Sequence, residues 1–522
     1  MAAIGRQSGQ SPDEGDRMYP QIVFNGAVIA PSEIERRATK LAARLSAAGL
    51  YEGDVVGVMM RNQPAYLEIM LACNLIGVYY CSINWHFKSA EAGYILKDSG
   101  AKMLFIQDVF LDQIGGLEAL GGIRPIVIAS EASSSVSSAG RASDYVSFRE
   151  GACDGAYIAG EPRGPMTYTS GSTGRPKGVR RLPLDPASRP AQIEKRDEVS
   201  RHVFGIAPDS RCFIAAPLYH SAPFSYATFA AAQGATIFLE ERFDEARLLD
   251  LIETERLSHL YLVPTMYQRL LRLPEEKRAG RDLSSVQFVA STGSPCGPEL
   301  KRQMIEWWGP VINETYASTE TGYVTAIGSH DALRKPGSAG RLLPHAELKI
   351  LGDDGSPRGV GEIGLIYAVQ RAYPDFTYAN NQAARAAIDN GGLITLGDMG
   401  YLDEEGFLFI CDRKNDMVIS GGVNIYPAEI EAAINELAGV RDSAVFGIPD
   451  AEFGEALAAA IQLAPLSEVT EADVREHLRE RIANYKVPKR IDFYPELPRE
   501  DTGKIFKRRL RDPFWQQAGR SI

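Results

Sequence analysis

Positive charge is in short supply in this chain: 56 lysines and arginines face 67 aspartates and glutamates, for a formal net charge of −11. That balance excludes a nucleic-acid binder that works through its overall field, so any anionic ligand must be held by local positive groups. Cysteine is scarce and scattered. Cys73, Cys81, Cys153, Cys212, Cys296 and Cys411 make no CxxC pair and no close Cys/His cluster. This argues against a thiolate-built metal site and for a reduced, cytoplasmic protein. No uninterrupted apolar run approaches the ~18 residues that a membrane span needs. The opening stretch MAAIGRQSGQSPDEGDR lacks the apolar segment of a signal peptide and reads as a flexible tail over 1–17. The closing GRSI is not a peroxisomal tripeptide.

What is present is an ordinary globular composition, 45% hydrophobic and 24% charged, over 522 residues, which is room for roughly three domains or subdomains. From Pro31 the elements alternate. PSEIERRATKLAARLSAAGL repeats apolar residues at Ile34, Ala38, Leu41 and Leu45 and predicts a helix with one buried face. DVVGVMM, VYYCSI and AKMLFI predict strands, separated by helices over QPAYLEIMLACNLIG and AEAGYILKDSG. This is the pattern of βαβ units in a largely parallel sheet. A Ser-rich linker over 129–140 is followed by a second alternating stretch from about 201 to 310. From about 340 to 411, short strands and turn residues predict a barrel-like region. A small α+β segment closes the chain, and no internal repeat is apparent. The expected class is therefore α/β: a large N-terminal domain of doubly wound βαβ subdomains plus a distorted β-barrel, with a small mobile α+β C-terminal domain. The boundaries are 18–411 and 417–522, with a charged hinge at 412–416.

One loop concentrates chemistry. TYTSGSTGRPKGVRR packs Gly171, Gly174 and Gly178, the hydroxyls of Thr169, Ser170, Ser172 and Thr173, and Lys177 between Thr169 and Gly178. Glycines let backbone N–H groups turn around an anion, hydroxyls add donors, and the ammonium supplies a point charge suited to phosphate. The strand PMTY feeds directly into it, as α/β phosphate loops require. It is not a Walker A loop, because Lys177 lies between Pro176 and Gly178.

YTSGSTGRPKG resembles the signature of the adenylate-forming superfamily, which comprises acyl- and aryl-CoA synthetases, peptide-synthetase adenylation domains and beetle luciferases. NETYASTETGY (313–323), GDMGYLDEEGF (397–407), DRKNDMVISGGVNIYPAEIE (412–431) and PREDTGKIFKRRL (498–510) are similar to the family's later motifs, in order along nearly the whole chain. The resemblance implies ATP and coenzyme A as co-substrates and Mg²⁺ held by Glu320. Thr319 and Glu320 meet the α-phosphate, and Lys504 stabilises charge as a carboxylate attacks it. Gly293, Ser294, Pro295, Asn313, Glu314, Thr315 and Tyr316 line the adenine and ribose, with Asp398 and Arg413 on the ribose hydroxyls. Asn415 stands at the hinge, where the family usually has Asp or Lys. Gly421 and Gly422 belong to the thiol tunnel, and Tyr485 and Lys486 face the coenzyme A phosphates, with a solvated surface loop as the alternative for that pair. Lys507, Arg508, Arg509 and Arg511 read as an ordinary basic helix face.

His220, in PLYHSAPF, is the expected acyl-pocket residue, with small neighbours at Ala222, Ala227, Ala230 and Thr265. No arginine or lysine occurs in these pocket stretches, which disfavours a dicarboxylate. RRLPLDPASRPAQ, after Gly178, departs from the family pattern; it either reshapes the pocket mouth or is a surface insertion. The resulting expectation is an AMP-forming acyl-CoA synthetase for a hydrophobic acid, fatty or alicyclic. An aryl-CoA ligase and an enzyme loading a separate carrier protein are the alternatives. No nucleic acid or membrane span is expected, and a homodimer is left open.

Overall fold

The computed structural model describes residues 18–116, 120, 122–128, 143–153, 155–169, 176–294, 296–414, 416–420, 423–450, 452–499 and 505–517. The tail at 1–17 and the Ser-rich linker lie outside them.

The alternation read from 31 onward is realised element by element. The helix Pro31–Ala47 buries Ile34, Ala38, Leu41, Ala42 and Leu45 on one face. Each large aliphatic there contributes about 1.5–3 kcal/mol of burial. The helix Pro64–Ile76 starts at a proline whose missing N–H costs nothing at that position, and it is apolar almost all round. It stops at Gly77, whose φ of +69° suits a residue without a side chain. A Cβ at Gly77 would also stand 2.8 Å from the Glu161 carbonyl oxygen, so backbone packing fixes the glycine as well.

Strands Tyr79–Ser82, Val55–Met59, Met103–Gln107 and Arg124–Ile128 pair in parallel, with Pro165–Thr169 added in parallel to Tyr79–Ser82. Lys177–Arg181 then turns back antiparallel on Pro165–Thr169. The second sheet has its own parallel run: Gln21–Phe24, Thr236–Leu239, Arg211–Ile214, His259–Tyr261, Phe288–Ser291 and Ile312–Ser318. One hydrophobic core joins the two sheets, including Tyr80 and Phe105 from the first and Phe213 and Ile237 from the second. Buried polar ties cross between them as well: Tyr66 Oη donates to Leu218 O (3.1 Å), and Asn62 Nδ2 donates to Ala216 O (2.9 Å).

The expected distorted barrel is not closed among the described residues. Ser338–Leu342 pairs on one side with Gly322–Gly328 and on the other with Leu408–Arg413, so the region continues the second sheet as an open extension. Gly340 makes this possible: a Cβ there would lie 2.0 Å from the Ala326 carbonyl oxygen. The sequence shows a run of short strands but not which edges they choose.

A third sheet in the C-terminal region pairs Val440–Asp450 with Gly454–Leu463, flanked by Val418–Ser420 and, in parallel, Arg490–Tyr494. The strand Leu408–Arg413 runs into the expected hinge: Asp412 and Arg413 pair with Met399 and Asp398, and Lys414 N–H donates to Gly397 O at 2.7 Å.

Candidate active site

A cleft of about 3570 Å³ runs between the two N-terminal sheets and the C-terminal region. Thr169, the last residue of its strand, and Lys177, the first of the next, are paired across the mouth of the phosphate loop. Ser170, Gly171, Ser172, Thr173 and Gly174 lie outside the described residues. Thr169 Oγ1 donates to Glu320 Oε1 at 3.1 Å, and Tyr378 Oη donates to the same oxygen at 3.0 Å. Lys177 Nζ stands 5.2 Å from the centre of the Tyr378 ring. Burial, and then the Glu320 charge, push the Tyr378 phenol up, so it stays a donor. Glu320 is 6% exposed and sits in the turn between Ile312–Ser318 and Gly322–Gly328. The proposed phosphate loop and acidic turn thus meet at one carboxylate.

Arg181, which carried no expected role, lies behind this turn. Its guanidinium donates to Thr319 O at 2.6 Å and to Pro374 O at 2.9 Å. Burial works against its charge, opposed by Tyr373, Glu320 and Asp375. Charged hydrogen bonds of this kind are worth about 1.5–3 kcal/mol each. Arg181→Met should therefore slow acyl-adenylate formation on the order of tenfold to a hundredfold, read as pyrophosphate release, and Arg181→Lys should restore part of it.

On the nucleotide side, Tyr316 Oη donates to Asp398 Oδ2 at 2.6 Å, and Arg413 Nε to Asp398 Oδ1 at 3.3 Å. Burial and the Asp398 charge raise the Tyr316 phenol. These three residues form a hydrogen-bonded unit that lines the cleft. Gly293, at φ +97° with nothing within 4 Å of a modest side chain, and Ser294 also line it. Pro295 lies outside the described residues. Thr315 lines the cleft, and its carbonyl oxygen accepts from Thr292 Oγ1 at 2.9 Å. Glu314 lines the cleft, paired with buried Lys301 and accepting the Cys296 N–H at 3.2 Å. One expectation needs correction: Asn313 does not line the cleft, since its amide donates to Val311 O at 2.9 Å and it packs against Gly328.

His220 precedes the helix Ser221–Ala232 and lines the cleft, with its Nε2 shielded from water and unpartnered. Burial pushes its imidazole down to about 4. Ser221 Oγ lies 3.0 Å from Thr319 Oγ1, which links this helix to the turn that carries Glu320. A neutral histidine with a depressed value makes the unfolded chain bind the extra proton on acidification. Its contribution is complete above about pH 6.5 and is lost as the pH falls through 4. Between about pH 7 and pH 5 the loss is about 2 kcal/mol. Urea midpoints followed against pH should fall less steeply in His220→Phe than in the native chain.

Along that helix, Ala222, Ser225, Thr228, Phe229 and Ala232 line the cleft, as does Thr265 beyond it. Ala227 and Ala230 are fully buried in the core, contrary to expectation. The stretch after Gly178 does shape the mouth: Leu182, Pro183 and the helix Arg189–Phe204 line it. Arg181 and Arg196, outside the stretches read for the acyl pocket, also line the cleft and bring positive charge to it.

On the C-terminal side, Lys504 lies outside the described residues, but Arg499 and Ile505 on either side of its segment form a bridge with each other and line the cleft. Asn415, Gly421 and Gly422 also lie outside. Tyr485 and Lys486 are not brought to the cleft: Tyr485 is exposed, and Lys486 Nζ donates to both Glu429 oxygens at 2.7 and 2.6 Å. Lys507 departs from the expected basic face. Its ammonium is sequestered 2.8 Å from Glu431, whose carboxylate also accepts the Val445 N–H at 2.6 Å. Burial opposes the Lys507 charge, and Glu431 more than offsets it.

These features agree with the chain's relatives. Residues 18–371 match the AMP-binding enzyme family and residues 429–504 the AMP-binding enzyme C-terminal domain. An indoleacetate–CoA ligase of Aromatoleum aromaticum is 32% identical over 97% of this chain and 96% of its own. A long-chain-fatty-acid–CoA ligase of Mycobacterium tuberculosis is 32% identical over 92% of each. The o-succinylbenzoate CoA synthetase of Bacillus subtilis, solved with its acyl-adenylate intermediate, superposes with a TM-score of 0.81 at 26% identity, covering 96% of both chains. The chain belongs to the AMP-binding enzyme family, the adenylate-forming enzymes. Its enzyme class is that of the AMP-forming acid–thiol ligases. No helix among the described residues is long and apolar enough to cross a membrane.

Proposed function

We propose that this chain activates a hydrophobic carboxylic acid, fatty or alicyclic, with ATP and transfers the acyl group to coenzyme A. The carrying observation is the convergence on one cleft of Glu320, held by Thr169 and Tyr378, with the Tyr316–Asp398–Arg413 unit and an apolar lobe walled by Leu71, Phe224 and Phe229. In the first half-reaction a carboxylate oxygen attacks the α-phosphorus, the bond to the bridging oxygen breaks, and pyrophosphate leaves. Thr319, braced by Arg181 and Ser221, orients the α-phosphate, and Lys504 neutralises its growing charge. In the second, a thiolate attacks the acyl carbonyl and AMP leaves.

Glu320 suits magnesium, which takes one or two carboxylates and completes its shell with phosphate oxygens. It is a buried hard-oxygen donor with no second carboxylate required, and among the described residues no three His, Cys, Asp or Glu side chains converge. When bound, the ion would offset nucleotide charge there. Rotation of the C-terminal domain between the two steps would pivot after Lys414, at Asn415, because Asp412 and Arg413 are held in a strand. Gly421, Gly422, Tyr485 and Lys486 would reach coenzyme A after that rotation. We assign the enzyme to the cytoplasm, which fits six free cysteines.

An aryl acid is the second reading. It is favoured by the Tyr80 and Phe224 rings, 5.2 Å apart along the cleft, and by the relative named an indoleacetate–CoA ligase. The test is product stoichiometry. Acid and ATP alone should release about one pyrophosphate per enzyme, and AMP and pyrophosphate should form one for one in turnover once coenzyme A is added; ADP and phosphate would refute the reading.

A further inference from the structure

The acyl lobe is not uniformly apolar, and its polar groups are grouped. The helix Pro64–Ile76 turns Leu71, Asn74 and Leu75 toward the cleft, so Asn74 is the single polar side chain of that face. Its amide meets the buried Tyr80 hydroxyl, while its Oδ1 is shielded from water and has no hydrogen-bond partner. Buried polar atoms in native proteins are nearly always paired, so an orphan acceptor in a ligand cleft calls for a donor from the ligand.

Opposite stands the helix Arg189–Phe204. Its cleft residues Arg189, Gln192, Arg196, Asp197 and Ser200 recur at helical spacing, with Ile193 the apolar residue among them, so this wall is mostly polar. The positive charge of Arg196 reaches both Tyr80 and Tyr373, and Tyr373 bonds Ser200. The nearest carboxylate to Arg196, that of Asp197, is 3.9 Å away, which leaves the guanidinium donors uncommitted to a close pair. Asn74, Arg196 and the Tyr80 hydroxyl that both act on line the same cleft, together with the apolar Leu71, Leu75 and Phe224. A hydroxyl is a small group that satisfies both the Asn74 acceptor and the Arg196 donor, since it donates one hydrogen bond and accepts others, and on a hydrophobic acid it adds the least bulk.

We infer that the acyl pocket reads a hydroxyl group remote from the carboxylate, with Asn74 Oδ1 as its acceptor and Arg196 as its donor. The inference rests on the acid-activating function proposed above and narrows its substrate to hydroxylated, ring-bearing hydrophobic acids. A plain acid would leave the Asn74 oxygen buried and unpaired. Sites built to bond a substrate hydroxyl reject the analogue that lacks it far more strongly than apolar pockets reject a size change.

The test compares phenylpropanoate with its para-hydroxy derivative, and cyclohexylpropanoate with its ring-hydroxylated derivative. Acid-dependent pyrophosphate release by the full chain gives kcat/KM for each. Native enzyme should favour the hydroxylated member of at least one pair by roughly tenfold to a hundredfold. The ratio should approach one in Asn74→Leu. It should also fall in Arg196→Met, a half-exposed position where substitution spares the fold. A native ratio near one in both pairs, or a ratio unchanged in both variants, overturns the inference while leaving acid activation standing. No pyrophosphate release with any of the four acids overturns the inference, and if a long-chain fatty acid run alongside is inert as well, the proposed activation of hydrophobic acids falls with it.

Discussion

Lys504→Ala should lower acyl-adenylate formation on the order of a hundredfold to a thousandfold while sparing the conversion of supplied acyl-AMP to thioester. The expectation comes from where charge develops. As the carboxylate attacks, negative charge builds on the phosphoryl oxygens in a site partly shielded from water, where a positioned cation is worth far more than in bulk solvent. Arg499 and Ile505 border the segment that carries Lys504, and both line the same cleft as Glu320 and Thr169. Thioester formation needs no such cation, because AMP leaves with its charge already solvated by the nucleotide site. Measuring pyrophosphate release and the consumption of synthetic acyl-AMP in the same preparation separates the two steps. Equal loss in both would assign Lys504 to the fold or to nucleotide binding in general.

Glu68→Ala should be the most damaging single change to stability, costing about 3–5 kcal/mol, the usual consequence of stripping one partner from a buried ion pair. Glu68 is 1% exposed on the mostly apolar helix Pro64–Ile76. It accepts from Arg149 at 2.7 Å, Arg37 at 3.0 Å and the Tyr145 hydroxyl at 2.7 Å. These contacts fasten Pro31–Ala47, Pro64–Ile76 and Tyr145–Glu150 to one another. Alanine would leave two guanidiniums near an uncompensated site. A lower urea midpoint measures the effect, and Glu68→Leu combined with Arg149→Met should recover part of it, because an apolar pair carries no desolvation cost. A change under about 1 kcal/mol would mean that the arginines find water instead.

Glu68 also shows where reading the sequence stops. Within QPAYLEIMLACNLIG the helix is evident, but the partners that make a carboxylate tolerable in its middle lie 31 and 81 positions away. Arg181, Lys301 and the Lys507–Glu431 pair were missed for the same reason. Each is an ordinary charged residue until a distant strand or helix closes over it, and no local pattern marks it. Glu320, Tyr316, Asp398 and Arg413 were legible because motif order carries long-range information that composition does not. The phase of Ser221–Ala232 was not legible. Small residues occur all round that helix, and only packing decides that Ala222 faces the cleft while Ala227 and Ala230 face the core. Likewise the strands after Ser338 were visible, but their open pairing depends on Gly340 nestling against Ala326.

The central claim, that one cleft runs adenylation and then thioester formation, is tested most directly by a single-turnover experiment with MgATP, an accepted acid and coenzyme A, with products followed by mass spectrometry. The account predicts acyl-AMP that rises first and decays as acyl-CoA appears. Acyl-AMP that accumulates unchanged by coenzyme A would contradict the proposed acceptor and implicate a carrier-protein thiol. Acyl-CoA without any acid-dependent acyl-AMP would contradict the adenylate mechanism itself.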